Sequence, residues 1–235
     1  MKIKIFIFSV LSFLIVLVAI FSNINNNNRL IYIDHNNIIN KSVSLVSNDS
    51  IFNYLKFLNV VNDSMTVGEL DLLKIQNQLN NIQYVRHSNA FIGINSSLNI
   101  EVVERKPIIE LKDLNMYLDE KGIIVPKSHL NKPNTVKFFG NVDSTNYNKI
   151  SKLGLLVVND SFLKSHINYI FSDSTKIFIK SNPHDYLIEL GSLRLFRKKL
   201  LNYKFFYLAK YEKDIFSQIE KINLSYDSQV IVEKK

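Results

Sequence analysis

Leu98-Asn99-Ile100-Glu101-Val102-Val103-Glu104-Arg105-Lys106-Pro107 is the stretch on which the reading of this chain turns. Leu98, Ile100 and Val102 alternate with Asn99, Glu101 and Val103. One face is apolar and the other largely polar, as in a half-buried β-strand. The run stops at a Glu-Arg-Lys triplet and at Pro107, which has no N–H to give a sheet ladder. Ten residues thus spell a strand and then a boundary. Glu104, Arg105 and Pro107 are the candidate domain-junction residues, with Glu104 and Arg105 expected to form a solvated charge cluster.

Upstream, Leu72, Ile75, Leu79 and Ile82 follow one another at spacings of three, four and three, a helical stripe. Thr66-Val67-Gly68-Glu69 has the spacing of a capping box at the start of that helix. Asn48 or Asp49 can cap an earlier helix carrying Ile51, Leu55 and Leu58. Leu30–Ile33 and Ser88–Ile92 read as short strands, and Asn95-Ser96-Ser97 as the turn into the Leu98 strand. The order over residues 29–106 is strand, helix, helix, strand, strand.

Further upstream, residues 5–21 carry no charge, while Lys2 and Lys4 stand just before them. Such a segment spans roughly 26 Å as a helix, near the lower limit for a hydrocarbon core. The expectation is a cytoplasmic tail at 1–4, a membrane helix at 5–22 and a linker at 23–28, with the remainder outside the cytoplasm. A cleavable signal peptide is the rival reading. The cleavage chemistry is poor, since Ala19 and Ser22 follow bulky Leu17 and Ile20 by two positions.

Downstream of Pro107 the chain turns to short strands punctuated by Gly122, Pro126, Pro133 and Gly140. Ile108–Leu111, Met116–Leu118, Gly122–Val125, Val136–Phe139, Lys176–Lys180 and Tyr186–Leu190 are strand candidates. Ser144–Leu156 and Leu193–Tyr211 are helix candidates. Arg194, Arg197, Lys198 and Lys199 read as a solvated face of the second helix, open to an acidic partner segment or anionic headgroups. Tyr203, Phe205, Phe206, Tyr207 and Tyr211 read as core packing.

The 235 residues carry a formal charge of +8 and no cysteine. Extracytoplasmic placement argues against nucleic acid as the destination of that charge. Without cysteine there is no disulfide, thiol nucleophile or zinc knuckle. His35, His87, His129, His166 and His184 are scattered and show no metal spacing. No nucleophile elbow, P-loop or dinucleotide fingerprint is present. Glu101 and Glu104 fall on opposite faces of one strand, which spoils them as an acid–base pair. No catalytic residue, metal, cofactor or small-molecule substrate is expected.

A helix ending in Leu79-x-x-Ile82-x-Tyr84-Val85, a short strand, and then L-x-I-x-V-x-E-R-x-P resembles the POTRA domain of the FtsQ/DivIB family of bacterial cell-division proteins. Tyr117-Leu118-Asp119-x-x-Gly122-x-x-x-Pro126 is similar to the opening of that family's second, β-rich domain. The closing passage Ile222–Val232 is similar to its end, with Ser225 standing where Arg is common. The resemblance implies an α+β protein. It has a single transmembrane helix, a POTRA domain (β-α-α-β-β) at 29–106 and a mostly antiparallel β-domain with flanking helices at 107–235. It also implies a non-catalytic, single-pass scaffold of the divisome in the bacterial inner membrane. The N-terminus is then cytoplasmic, the bulk periplasmic, and the protein enriched at the septum, where it recruits FtsB- and FtsL-type partners. A POTRA-bearing periplasmic chaperone or export factor is the alternative, and a membrane-anchored enzyme of unrecognised type the third reading.

The expected mechanism is strand addition at the C-terminus. Gln229-Val230-Ile231-Val232 reads as an apolar final strand with charges only after it, at Glu233, Lys234 and Lys235. Edges are usually blunted by charge or proline within the strand, so an unblunted edge suggests a partner. Leu224, Tyr226, Ser228, Gln229, Val230, Ile231 and Val232 are the candidate partner-binding residues. An interior strand is the competing reading.

Overall fold

The computed structural model describes residues 2–41, 45–173, 176–211 and 215–235. The chain divides into two compact units, Met1–Glu104 and Arg105–Lys235.

The first unit opens with helix α1, Lys2–Asn27. Its apolar side chains are exposed all round, and Ile3–Asn27 is long and apolar enough to cross a bilayer. The helix takes in all but the last of the residues expected as linker, ending at Asn27. Strand β1 is Ile38–Asn40, followed by α2 (Asn48–Phe57), α3 (Leu72–Asn80), β2 (Val85–Ile92) and β3 (Leu98–Glu104).

The expected strand at Leu30–Ile33 is instead a pair of isolated bridges, Leu30 to Thr66 and Tyr32 to Ser97. Ile31 N–H donates to Met65 O and Tyr32 N–H to Ser96 O, so successive residues bond to different segments and no ladder grows. Thr66 and Glu69 do close on each other, the Thr66 N–H and hydroxyl donating to Glu69 Oε2 at 2.9 and 3.0 Å. They close only a single turn, Val67–Glu69. Extended backbone at Leu70 and Asp71 ends it, and Asp71 caps α3 by accepting from Lys74 N at 2.9 Å.

The sheet order is β1-β3-β2, with β1 parallel and β2 antiparallel to β3. Ile51, Leu55, Ile75 and Leu79 bury the helices' apolar stripes against Leu98, Ile100 and Val102. The alternation read in the Leu98 strand holds over its whole length, Leu98, Ile100, Val102 and Glu104 all lying on the buried face.

In the second unit the order is β4 (Pro107–Leu111), β5 (Met116–Asp119), β6 (Ile124–Pro126), β7 (Val136–Phe139), α4 (Tyr147–Asn159), α5 (Ser161–His166), β8 (Ile167–Asp173), β9 (Lys176–Ser181), β10 (Leu187–Gly191), α6 (Phe196–Lys210), β11 (Ile219–Asn223) and β12 (Ile231–Lys234). These strands form one nine-stranded sheet, β12-β11-β10-β9-β8-β7-β4-β5-β6. Five of its pairings are antiparallel and three parallel.

Two crossovers explain where the helices lie. β7 reaches its parallel neighbour β8 through α4 and α5, and β10 reaches its parallel neighbour β11 through α6. β7 and β10 run the same way and both crossovers step toward β12, so right-handed connections place both helices on one face. There Ile150, Leu153, Leu200 and Tyr203 share a core with Phe138, Ile170, Ile179, Ile188 and Ile222.

Candidate interaction edge

β12 ends the nine-stranded sheet, and among the described residues no strand lies beyond it. It pairs antiparallel with β11, with Asn223 opposite Ile231, Ile222 opposite Val232 and Lys221 opposite Glu233. The strand covers Ile231–Lys234 rather than Gln229–Val232, so the expectation of an edge free of charge is corrected: Glu233 and Lys234 lie within it. The shift follows from a bend and turn at Tyr226–Ser228, which holds Gln229 and Val230 off the ladder.

Hydrogen bonds on either side of β11 fix which backbone groups of β12 are turned outward. Leu224 N–H donates to Glu189 O at 2.8 Å, toward β10. With a two-residue period, Asn223 and Lys221 then face β12 and bond to Ile231 and Glu233. Lys235 N–H, of the same parity as Ile231 and Glu233, donates to Gln218 O at 3.0 Å, in agreement. Val232 and Lys234 therefore direct their N–H and C=O groups to the open side. The Val232 side chain, perpendicular to those groups, packs on the core together with Val230.

The chain leading into β12 is held in several places. Asp227 is paired with Arg194 from the turn before α6. Ser225 N–H donates to Asn223 Oδ1 at 2.8 Å and its hydroxyl to Glu189 Oε1 at 3.2 Å. Gly191 has φ +69°, and a Cβ there would stand 2.7 Å from Ser225 Oγ, so this close approach needs glycine on both counts. Glu189 is buried and accepts Lys176 Nζ at 2.7 Å, with Lys221 Nζ at 3.6 Å. Burial pushes the Glu189 carboxyl up, but Lys176, Ser225 and Lys221 together hold it below its ordinary value. On the same sheet face Lys221 also pairs with Glu233 at 2.9 Å, and that hydrogen bond, the largest influence, raises the Lys221 ammonium above its usual range.

The candidate residues separate accordingly. Ile231 and Val232 are in the edge strand, and Tyr226 is exposed beside it at 56%. Ser228 and Gln229 are exposed before the strand begins. Leu224 is a correction: it is 1% exposed and belongs to the core, since its N–H anchors it to β10.

The expected solvated cluster at the junction is also corrected. Glu104 is 3% exposed, accepting the N–H groups of Leu45 and Val46 at 2.7 and 3.1 Å and the side-chain amide of Asn40. Arg105 pairs with buried Asp119 at 3.0 Å, within the second unit. Pro107 takes the first position of β4, where a missing N–H is tolerated.

Lys199 is not part of a solvated face. It is 2% exposed and donates to Leu190 O at 2.9 Å and Ser192 O at 3.2 Å, with burial lowering its ammonium below the usual range. Of the helix aromatics, Tyr203 and Tyr207 are buried, whereas Phe205 and Tyr211 are exposed. Among the described residues no group of three or more His, Asp or Glu is placed to hold a metal ion.

Residues 106–232 match the family model described as FtsQ/DivIB, C-terminal related. No curated protein matches the chain. Among solved structures, the major extracytoplasmic domain of the trans isomer of the cell-division protein DivIB from Geobacillus stearothermophilus is similar over 46% of this chain and 96% of that one, at 15% identity and a TM-score of 0.34.

Proposed function

From the premise that this chain belongs to the FtsQ/DivIB family of bacterial cell-division proteins, we propose that it is a non-catalytic, single-pass scaffold that recruits FtsB- and FtsL-type partners to the septum by strand addition at β12. The apolar helix α1 fits a membrane anchor, with the rest of the first unit and the whole of the second extracytoplasmic. The observation that carries the proposal is the outward pair Val232 and Lys234, each offering one donor and one acceptor on an edge that nothing among the described residues covers.

Bonds of this kind contribute a net ~0.5–1.5 kcal/mol each, and ordering the partner strand offsets part of that. Side-chain contacts and co-anchoring in one membrane, which raises the partner's effective concentration, supply the remainder. Exposed Tyr226 and Ile231 are the nearest apolar anchors.

Val232→Pro tests the proposal. It should weaken binding of an FtsB-type extracytoplasmic segment, measured by anisotropy, by about tenfold or more while the fold persists. Unchanged binding would remove the mechanism.

A further inference from the structure

Helix α6 is apolar on two faces. Phe196, Leu200, Tyr203 and Tyr207 are buried against the sheet, yet Leu201, Phe205 and Leu208 stand on the opposite side at 48%, 61% and 58% exposure. Their spacings of four and three place them on one line, as the d, a and d positions of a heptad. Lys198 continues the line one step earlier as an a position. Arg197, Lys204 and exposed Tyr211 fall at the flanking g positions, and Asn202 and Ala209 at e. α6 carries no Asp or Glu. Its nearest acidic side chain among those described is Asp160, which holds Lys204 at 2.9 Å.

We propose that this seam docks an acidic amphipathic helix of another protein, with apolar a and d residues and Glu or Asp at the flanking positions that meet Arg197 and Lys204 and that the long Lys198 side chain can reach. Charge complementarity selects that occupant. A second copy of this chain is disfavoured in either orientation: antiparallel pairing sets the basic g positions Arg197 and Lys204 against the g positions of the copy, and parallel pairing sets Lys198 against Lys198. The width of the stripe separates a helix from a lipid surface. Leu201, Phe205 and Leu208 span about 60° of the helix circumference, narrower than the face of about 100° or more that buries in an apolar medium, and matching a coiled-coil seam. The seam does not involve β12, so it stands or falls separately from strand addition.

The chain has no tryptophan, so Phe205→Trp gives a single reporter on the seam. The full-length variant is placed in nanodiscs of phosphatidylcholine. It is titrated with a peptide of about 28 residues, long enough to be helical, with Leu at a and d and Glu at e and g. The expected result is a saturable blue shift of the tryptophan emission, absent with a peptide carrying Lys at e and g. In anisotropy, Leu208→Glu should weaken the acidic peptide by about tenfold or more. Arg197→Glu with Lys198→Glu should exchange the preference for the basic peptide.

No response to the acidic peptide overturns the proposal. So does an equal response to both peptides, or equal binding by Leu208→Glu. A blue shift in phosphatidylglycerol nanodiscs without peptide would assign the seam to the bilayer instead. A blue shift that grows with protein concentration alone would assign it to a second copy.

Discussion

The two ends of the nine-stranded sheet treat their outward backbone donors differently. At one end β6 pairs with β5, Tyr117 opposite Val125 and Met116 opposite Pro126. Asp119 N–H donates to Ile123 O, so Ile123 and Val125 bond inward and Ile124 and Pro126 face out. Of those two outward residues Pro126 has no N–H, which leaves a neighbouring strand one donor to grip. At the other end Val232 and Lys234 both keep theirs. The same sheet therefore closes one edge with proline and leaves the other with its donors intact. Charge at Glu233 and Lys234 moderates the second edge without removing any backbone group.

The largest effect should come from breaking the inner ladder of the second edge. Ile231→Pro removes the N–H that faces Asn223 and leaves that carbonyl unpaired, at a cost of roughly 1–3 kcal/mol. Val232→Pro removes an outward donor and should cost less than about 1 kcal/mol. Urea denaturation of the two variants should show that difference. Equal losses would mean that the assigned parity is wrong.

Acid should act next, and at both ends. Glu189 supports the β12 end. Glu110 supports the β6 end, accepting Lys127 Nζ at 2.7 Å and Lys112 Nζ at 3.1 Å. Burial pushes the Glu110 carboxyl up, yet the two lysines hold it below its ordinary value, as happens at Glu189. A depressed folded value means that each carboxylate's contribution is fully present above the usual carboxylate range. It is lost as the pH falls through the lower, folded value. Hydrogen exchange at decreasing pH should show β11 and β12 loosening together with β5 and β6. Glu189→Gln should remove the acid response at the β12 end and leave it at the other.

How much of this comparison could be read from the chain depends on the range of the interactions involved. The Leu98–Glu104 alternation, the Leu72–Leu79 stripe and the hairpin strands β4 and β5 are local patterns, and each is found close to where it was expected. β8 and β11 carry no comparable local pattern. Both are return strands of crossovers, stabilised by partners far away in sequence. β8 follows α5 at His166–Ile167 with no glycine or proline between them, and Ile219-Glu220-Lys221-Ile222-Asn223 carries only two apolar residues. The parity of β12 rests on bonds from Leu224 to Glu189 and from Lys235 to Gln218, residues 35 and 17 positions apart, which no local pattern encodes. Nor does a local pattern encode the burial of Glu104 and Lys199, since folding brings them the Leu45 and Val46 N–H groups and the Asn40 amide in one case and the Leu190 and Ser192 carbonyls in the other.

The smallest effect, and the closest test of the comparison, is at the closed edge. Pro126→Val restores an outward N–H beside Ile124 while leaving the inward bonds of Val125 to Tyr117 untouched. Folding stability should change by no more than about 0.5 kcal/mol, because the backbone groups of residue 126 face away from β5. Association is the informative readout. An edge of three residues with its donors restored, next to Ile123 and Ile124 at 42% and 40% exposure, offers a short template for a second copy. Sedimentation of the full chain in detergent should show weak dimer formation by the variant at concentrations where the parent is monomeric. Identical sedimentation would mean that brevity, and not proline, silences β6. The contrast with the four-residue β12 would then rest on length and on Val232 rather than on the missing donor.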